Sequence, residues 1–166
     1  MAGAATLARV SGQPAPDRFR AAEAALRPVA GVEELQVIGA VPEAVVALLG
    51  LRTTARSVWL HPDAVAHIAA QRARAPGDAD FVLQHLAAAV LRPHWAVLER
   101  DGRRVRLVHV VRAGSGYLFV ALKCVMAAEA ASGADEIWVS TAYRLGPRSL
   151  TRQLRAHSFI EVEASA

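Results

Sequence analysis

The chain has 166 residues, 54% of them hydrophobic and 20% charged, with a net charge of +4 and a pI near 10.2. This length fits one domain, and the composition excludes a disordered protein. No apolar stretch is long enough for a transmembrane helix and no secretory signal is evident, so we expect no membrane association. The single cysteine, Cys124, excludes an internal disulfide and a cysteine-based metal cluster.

In the first half of the chain, the spacing of apolar residues predicts mainly helices. Residues 1–16 are small and rich in glycine and proline, which is typical of a flexible arm. Asp17 can cap a helix that extends to about residue 27. Further along, the patterns predict short strands at 35–39 and 57–60, and helices at 42–49, 61–75 and 80–91.

In the second half, apolar and polar residues alternate, which is typical of strands. The turn Asp101-Gly102 predicts a hairpin between 95–99 and 104–111, and further strands are predicted at 117–125 and 136–143. Short helices are predicted at 127–132 and 150–156. The order predicts an α+β fold over residues 17–166, in which N-terminal helices pack on a four-stranded antiparallel meander.

Lys123 is the only lysine beside 18 arginines, and it lies in an apolar strand segment. A cation among apolar neighbours costs free energy unless it is paired. Two interpretations stay open. The amine extends into solvent at the strand end, or it serves a site that binds phosphate or transfers a proton.

Alternation predicts which side chains share a face of the sheet. It puts Thr141 and Tyr143 on the same face as Ile137, and it puts Trp138 on the other face. If this strand pairs with its neighbour, an ammonium from Lys123, a hydroxyl and a phenol converge near one end of the sheet. None is a strong nucleophile unaided, so they suit a ribonuclease in which the 2′-hydroxyl of RNA attacks.

The arginines cluster at residues 100–112 and 144–155. Such clusters suit a polyanionic partner such as RNA, because guanidinium groups bind phosphate with two hydrogen bonds. A solvated surface in an arginine-rich protein explains them equally well. On the first interpretation Arg104, Arg106 and Arg144 bind substrate, together with Ser140.

Among six histidines, His67 is the strongest candidate for proton transfer, with Arg72 about one helical turn further on. The others have structural explanations, and His109 is expected to be a hydrogen-bonded core residue. No metal-binding motif or carboxylate cluster occurs, so we expect neither a metal nor another cofactor.

Several short motifs occur in a particular order: Ile38-Gly-Ala-Val-Pro42, Leu48-Leu-Gly-Leu51, Val58-Trp-Leu-His61, His67-Ile68, Leu91-Arg-Pro93, Leu122-Lys123 and Ser140-Thr-Ala-Tyr143. Together they resemble the phage-associated nuclease-like domains of the barnase, EndoU, colicin nuclease and RelE superfamily. The resemblance spans roughly residues 36–144. It implies N-terminal helices on a four-stranded antiparallel sheet and metal-independent cleavage of RNA.

Carried over by position, the resemblance implies catalytic roles for His67, Lys123, Thr141 and Tyr143. It also implies RNA, with tRNA as one candidate, as the substrate. An immunity or antitoxin protein is a further candidate partner, and the place of action is the cytoplasm of the producing or a target cell. Where the family pattern has a second histidine this chain has Arg72, which cannot exchange protons near neutral pH.

The sequence therefore leaves three functional classes open. The first is a ribonuclease of phage or toxin type, with Arg72 and Lys123 as phosphate-binding cations. The second is a catalytically inactive module on the same fold that binds nucleic acid or protein. The third is an enzyme that acts on a small substrate other than nucleic acid.

Overall fold

The computed structural model describes residues 35–72, 77–111, 116–130 and 132–162, with the backbone alone at residues 71 and 72. The strands are β1 Gln36–Ala40, β2 Ser57–Leu60, β3 Trp95–Leu98, β4 Arg104–Val111, β5 Gly116–Val125, β6 Glu136–Leu145 and β7 Ile160–Glu161. The helices are α1 Glu43–Leu49, α2 Pro62–His67, α3 Asp78–Leu91 and α4 Pro147–Ala156, and a π-helical turn, Ile68–Arg72, continues α2. Within these ranges no helix has the length and apolar character needed to cross a membrane.

All seven strands belong to one mixed sheet with the order β1-β2-β6-β5-β4-β3-β7. Every neighbouring pair is antiparallel except β2 and β6, which run parallel with Val58 opposite Ile137 and Trp59 opposite Trp138. The β3–β4–β5 meander is thus extended on one side by β6 and then by the earlier strands β2 and β1. The two-residue strand β7 closes the other edge.

The inner face of the sheet is the face on which α3 packs. Leu86 and Val90 of α3 are fully buried in the same core as Leu107 of β4 and Leu118 of β5. Side chains of α1, α2 and the π-helical turn complete this core. Because alternate residues of a strand point to the same face, β5 contributes every second residue to it. Those residues are Leu118, Val120, Leu122 and Cys124.

The outer face is covered only in part within the described residues. Leu150 and Leu154, one helical turn apart on α4, pack with Phe119 and Leu145 into a second, smaller core. A third cluster joins Trp59 to Val37 near the β1 edge. Between these two clusters, polar and charged side chains of β4, β5 and β6 project from the outer face.

Local signals in the sequence explain the helix boundaries. Pro42 precedes α1, and Gly50 ends it with φ of 63°, a left-handed conformation that glycine adopts without strain. The ring of His61 accepts a hydrogen bond from the backbone N–H of Asp63 and so caps α2. Carboxylates in the first turn of α3 favour its N-terminus through the helix dipole.

The α+β class is confirmed, but the predicted four-stranded antiparallel meander is wrong in detail. The sheet has seven strands, and β2 joins it in parallel. The two early strands were predicted as elements, yet the pairing of β2 with β6 joins residues 79 apart in the chain (58 with 137), which periodicity does not report. The arm at 1–16 and the helix at 17–27 lie outside the described residues, and the described part of 127–132 forms turns instead of a helix.

The predicted faces of β6 are also wrong, because the strand contains a bulge. Ala121 lies opposite Thr141, but the next residue of β5, Leu122, lies opposite Val139, so Ser140 is the extra residue. The bulge moves Trp138 to the outer face with Thr141. Strict alternation had placed these two side chains on opposite faces.

Candidate functional site

Three predicted site residues lie on the outer face of the sheet. Lys123 lies on β5, while Thr141 and Tyr143 lie on β6, opposite Ala121 and Phe119. The Tyr143 ring stacks on Phe119 with 4.7 Å between the ring centroids. Lys123, two residues after Ala121, projects from the same face because β5 alternates. An ammonium, a hydroxyl and a phenol therefore share one face of two neighbouring strands, but Tyr143 lies opposite Phe119, about 13 Å along β5 from Lys123, and their convergence stays a prediction.

The Lys123 side chain is exposed, so the idea of a cation buried among apolar neighbours is wrong. Its strand neighbours Leu122 and Cys124 are buried on the inner face, whereas Lys123 lies between Arg104 of β4 and Trp138 of β6. Within the described residues the amine has no ion pair. Lys123 is therefore available to an anion, and Arg104, which pairs with Asp101, is the cation directly opposite it.

Arg106 connects a carboxylate and a histidine on the same face. Its Nε donates a hydrogen bond to Oε1 of Glu99, and its Nη1 donates to Nε2 of His157 over 2.8 Å. The His157 ring accepts this bond only with Nε2 unprotonated, so its proton lies on Nδ1. Arg106 and Lys123 are diagonal neighbours on adjacent strands, a relation that places their Cα atoms about 7–8 Å apart.

Sequence reasoning missed Glu99 and His157 as members of this site. The predicted hairpin contained a usable signal for Glu99. This residue leads into the Asp101-Gly102 turn, and the arginines lie on the strand directly opposite. His157 follows α4, and its contact with Arg106 spans 51 residues. No local pattern reports a contact at that separation.

Arg104 is held by the hairpin turn. Its Nε lies 3.7 Å from Oδ2 of Asp101. The Oδ1 atom of Asp101 accepts backbone N–H bonds from Arg103 at 2.9 Å and Arg104 at 3.2 Å. These bonds, the one from Arg103 foremost, lower the pKa of the Asp101 carboxyl. The carboxylate thus fixes the turn that delivers Arg104 to the outer face.

The β6 bulge lies in the middle of the candidate site. Ser140, the extra residue, is exposed. The adjacent hydroxyl Oγ1 of Thr141 is buried and has no hydrogen-bond partner among the described residues. Bulges commonly redirect a side chain beside an active site, and a buried hydroxyl without a partner requires an explanation.

His67 lies on α2, and α2 and the π-helical turn both contact β6. β6 pairs with β2 only at Ile137 and Trp138, and α2 follows β2 directly in the chain. Ala64 of α2 and Ile68 of the turn are buried in the inner-face core, so the helix lies on the inner side of the sheet, whereas Thr141 lies on the outer face. No hydrogen bond, ion pair or ring contact joins His67 to the outer-face residues in the part of the chain described, and the role predicted for the Arg72 side chain falls outside it.

Arg144 is separated from the other predicted residues, because its side chain turns to the inner side of β6. The guanidinium lies 4.6 Å from the centre of the Phe81 ring, and Nη1 is 3.8 Å from Oδ1 of Asp78. A Cβ atom at Gly116 would approach Arg144 to 3.1 Å and Phe81 to 3.2 Å. The missing side chain of Gly116 therefore leaves room for this stacked arginine.

Arg144 also lines a polar cleft of about 330 Å³ at the junction of β6 and α4. The cleft is lined by Asp78, Tyr143, Arg144, Leu145, Gly146, Ser149, Arg152 and Gln153. Sequence reasoning identified Tyr143 and Arg144 but missed the contributions of α4. Its predicted start at residue 150 left out the first turn of that helix.

A histidine cluster on the inner side lies apart from the outer face. The rings of His94 and His109 are 5.1 Å apart, and Nδ1 of His109 is 2.8 Å from the carbonyl oxygen of Arg92. Burial lowers the pKa of His109. Burial also lowers the pKa of His85, and the charge on His109 lowers it further. These rings therefore favour the neutral form in the folded protein, as expected for structural histidines.

We predict that this cluster makes the protein less stable in mild acid. A histidine whose folded pKa is lowered favours folding fully above its unfolded pKa of about 6.5, and that contribution is lost as the pH falls through the folded pKa. His109→Gln should therefore reduce the fall in unfolding free energy between about pH 7.5 and 5. Gln84→Ala, which removes an exposed side chain that does not titrate, is the control and should keep the wild-type pH dependence. Denaturant titrations across this range test the prediction, and an unchanged His109→Gln profile would contradict it.

Other kinds of centre find no support among the described residues. No three His, Cys, Asp or Glu side chains there are grouped so as to hold a metal ion. Burial raises the pKa of the Cys124 thiol to about 11, so this cysteine is not a nucleophile near neutral pH. Comparison of the chain with known protein families, curated proteins and solved structures found no significant match.

Proposed function

We propose that the protein is a metal-independent endoribonuclease that binds RNA on the outer face of the sheet. The observation that supports it most is the alignment of Arg104, Arg106, Lys123 and Thr141 across three adjacent strands, beside a bulge. Cations and hydroxyl donors on one open face suit a phosphodiester, because charge accumulates on the phosphoryl oxygens in the transition state. The order of motifs that resembles phage-associated nuclease-like domains points the same way.

In the proposed reaction the 2′-hydroxyl of RNA attacks the adjacent phosphorus. A base accepts the hydroxyl proton, the P–O2′ bond forms, and the bond to the 5′ oxygen breaks as an acid protonates that oxygen. The products are a 2′,3′-cyclic phosphate and a free 5′-hydroxyl. Lys123 and Arg104 would bind the phosphoryl oxygens, with Arg72 as a further cation, while Thr141 and Tyr143 would donate hydrogen bonds.

Proton transfer would be shared by two histidines. His67 lies on the helix beside β6, and His157 is hydrogen-bonded to Arg106 on the outer face. In ribonucleases of this kind one group acts as base and the other as acid, and these two histidines would take those roles. His157 would supply the second proton-transfer group that Arg72 cannot provide.

The remaining expectations follow from this activity. The substrate would be RNA, with tRNA as one candidate, and the protein would act in the cytoplasm of the producing or a target cell. An immunity or antitoxin protein that covers the outer face would be the matching partner. No metal or other cofactor is required, since the nucleophile is part of the substrate.

A catalytically inactive module that binds nucleic acid or protein is the second candidate. The contacts of Arg106 favour it, because the guanidinium already binds both Glu99 and His157, the groups on this face that could exchange protons. On this alternative the cations bind a polyanion and no bond is broken. The two candidates differ in one measurable property, which is cleavage of bound RNA.

Purified protein incubated with total RNA in EDTA should produce fragments that end in a 2′,3′-cyclic phosphate. We expect His67→Ala and His157→Ala each to reduce the rate by about 100-fold or more, with melting temperatures near that of the wild type. His85→Gln, on the inner side, serves as the matched control with near wild-type cleavage. Binding without cleavage would favour the inactive module. A large loss of stability in His67→Ala, with a proportionate loss of activity, would remove His67 from the mechanism.

A further inference from the structure

Three arginines form a stripe along the exposed side of α4. Arg148, Arg152 and Arg155 follow a spacing of four and three residues, which places them on one side of a helix. All three are exposed, and α4 contains no acidic residue. The opposite side of the helix is apolar and is used in packing, through Leu150 and Leu154.

The stripe differs in its pairing from five of the eight other arginines whose side chains the structure describes. Arg56, Arg103 and Arg104 each have a carboxylate partner, as do Arg106 and Arg144. Within the described residues no carboxylate lies within ion-pair distance of the three stripe arginines. Three unpaired like charges on one helix repel each other, so an anion bound there would relieve the repulsion.

The stripe leads into the polar cleft at the N-terminus of α4. Arg152 belongs to both, and it lines the cleft together with Arg144 and Ser149. With Asp78 as the one acidic lining residue, the two guanidinium groups leave the cleft a net charge of +1. Pro147 begins the helix and no side chain caps it, and Gly146 and Ser149 at this end of the helix line the cleft.

One further side chain that lines the cleft has a buried polar atom without a partner among the described residues. Gln153 lines the same cleft, and its Oε1 atom is buried with no hydrogen-bond partner among the described residues. Buried polar atoms in folded proteins are nearly always hydrogen-bonded. A cleft with two guanidinium groups suits a phosphate group, and the Gln153 oxygen, which accepts a hydrogen bond, suits a donor such as an amino group on the base of the same nucleotide.

We infer that α4 is a second nucleic-acid contact, in which the cleft holds one phosphate group and the arginine stripe follows the strand beyond it. The inference rests on the proposed function for the nature of the ligand, an RNA strand, but it does not depend on cleavage. A membrane surface is disfavoured as the ligand, because the apolar side of α4 that would enter a bilayer is packed against the sheet. Tyr143 stacks within the outer face and lines the cleft, so the strand would continue from one site to the other.

The test uses a fluorescent single-stranded RNA of mixed sequence in which every 2′-hydroxyl is methylated. This RNA binds but lacks the nucleophile, so its affinity is measured independently of cleavage. The variant Arg148→Gln/Arg152→Gln should bind on the order of tenfold more weakly, and the slope of log affinity against log salt should fall by about 1.4. Glutamine preserves the helix, which a melting curve checks.

The matched control is Arg52→Gln/Arg92→Gln, which removes two exposed, unpaired charges away from α4. It should change affinity much less than the α4 variant does. Equal losses in both variants, or no loss in either, would overturn the inference. So would binding of the wild type to vesicles containing about one third phosphatidylserine without binding to the RNA. Failure to cleave unmodified RNA would refute the proposed ribonuclease activity but leave this inference standing if the α4 variant still loses affinity.

Discussion

Replacement of Lys123 by methionine should reduce RNA cleavage by about 100- to 1,000-fold and leave the fold intact. The loss follows from removal of a cation that would bind the phosphoryl oxygens in the transition state. Stability should be unchanged or slightly higher, because Lys123 is exposed and lies directly opposite Arg104, so its removal relieves a repulsion between like charges. Cleavage rates and melting temperatures of wild type and variant test both statements.

The control for this variant is Arg52→Met, which exchanges an exposed cation for the same side chain at a distance from the outer face. It should cleave RNA at close to the wild-type rate. If the folded Lys123→Met protein also retains full activity, Lys123 has no role in the reaction. The proposal would then lose its central cation, and the inactive binding module would become the better explanation.

Replacement of Leu86 by alanine should have the largest effect on stability, about 3 kcal/mol. Leu86 is fully buried where α3 meets the inner face of the sheet, so truncation leaves a cavity in the main core. For a chain of this length the loss corresponds to a fall in melting temperature of about 6–12 °C.

Leu48→Ala is the matched control, since the same atoms are removed from a side chain that is 43% exposed. Its cost should be about 0.5 kcal/mol or less, because little apolar surface returns to water and alanine favours the helix. Thermal melts of both variants under one condition compare the two sites. Similar losses would mean that α3 is not packed as described.

Local structure could be predicted from the sequence because its causes are local. Strand β2 occurs at the predicted residues, and the Asp101-Gly102 turn joins β3 to β4 as expected. Proline and glycine mark the ends of α1, as the sequence predicted. Sheet order could not be predicted, since the pairing of β2 with β6 depends on which distant apolar faces fit together.

In the candidate site, too, only the features with local causes could be predicted. The face of Lys123 followed from regular alternation, but the face of Trp138 did not, because one extra residue at Ser140 reverses the pattern. His157 reaches Arg106 only through the packing of α4 on the sheet. Residue type and order thus suggested the chemistry, whereas the bulge and the terminal helix determine which groups meet.

The parallel pairing of β2 with β6 has a consequence for the time course of folding. The antiparallel pair β1–β2 and the β3–β5 meander are each built from strands that follow one another in the chain, so each can form while synthesis is still in progress. Neither can join the other until residues 137 and 138 have emerged from the ribosome, because β6 is the strand that lies between them. Until then one edge of β2 and one edge of β5 expose unpaired backbone groups, and these edges are where a nascent chain is most open to aggregation or to a chaperone.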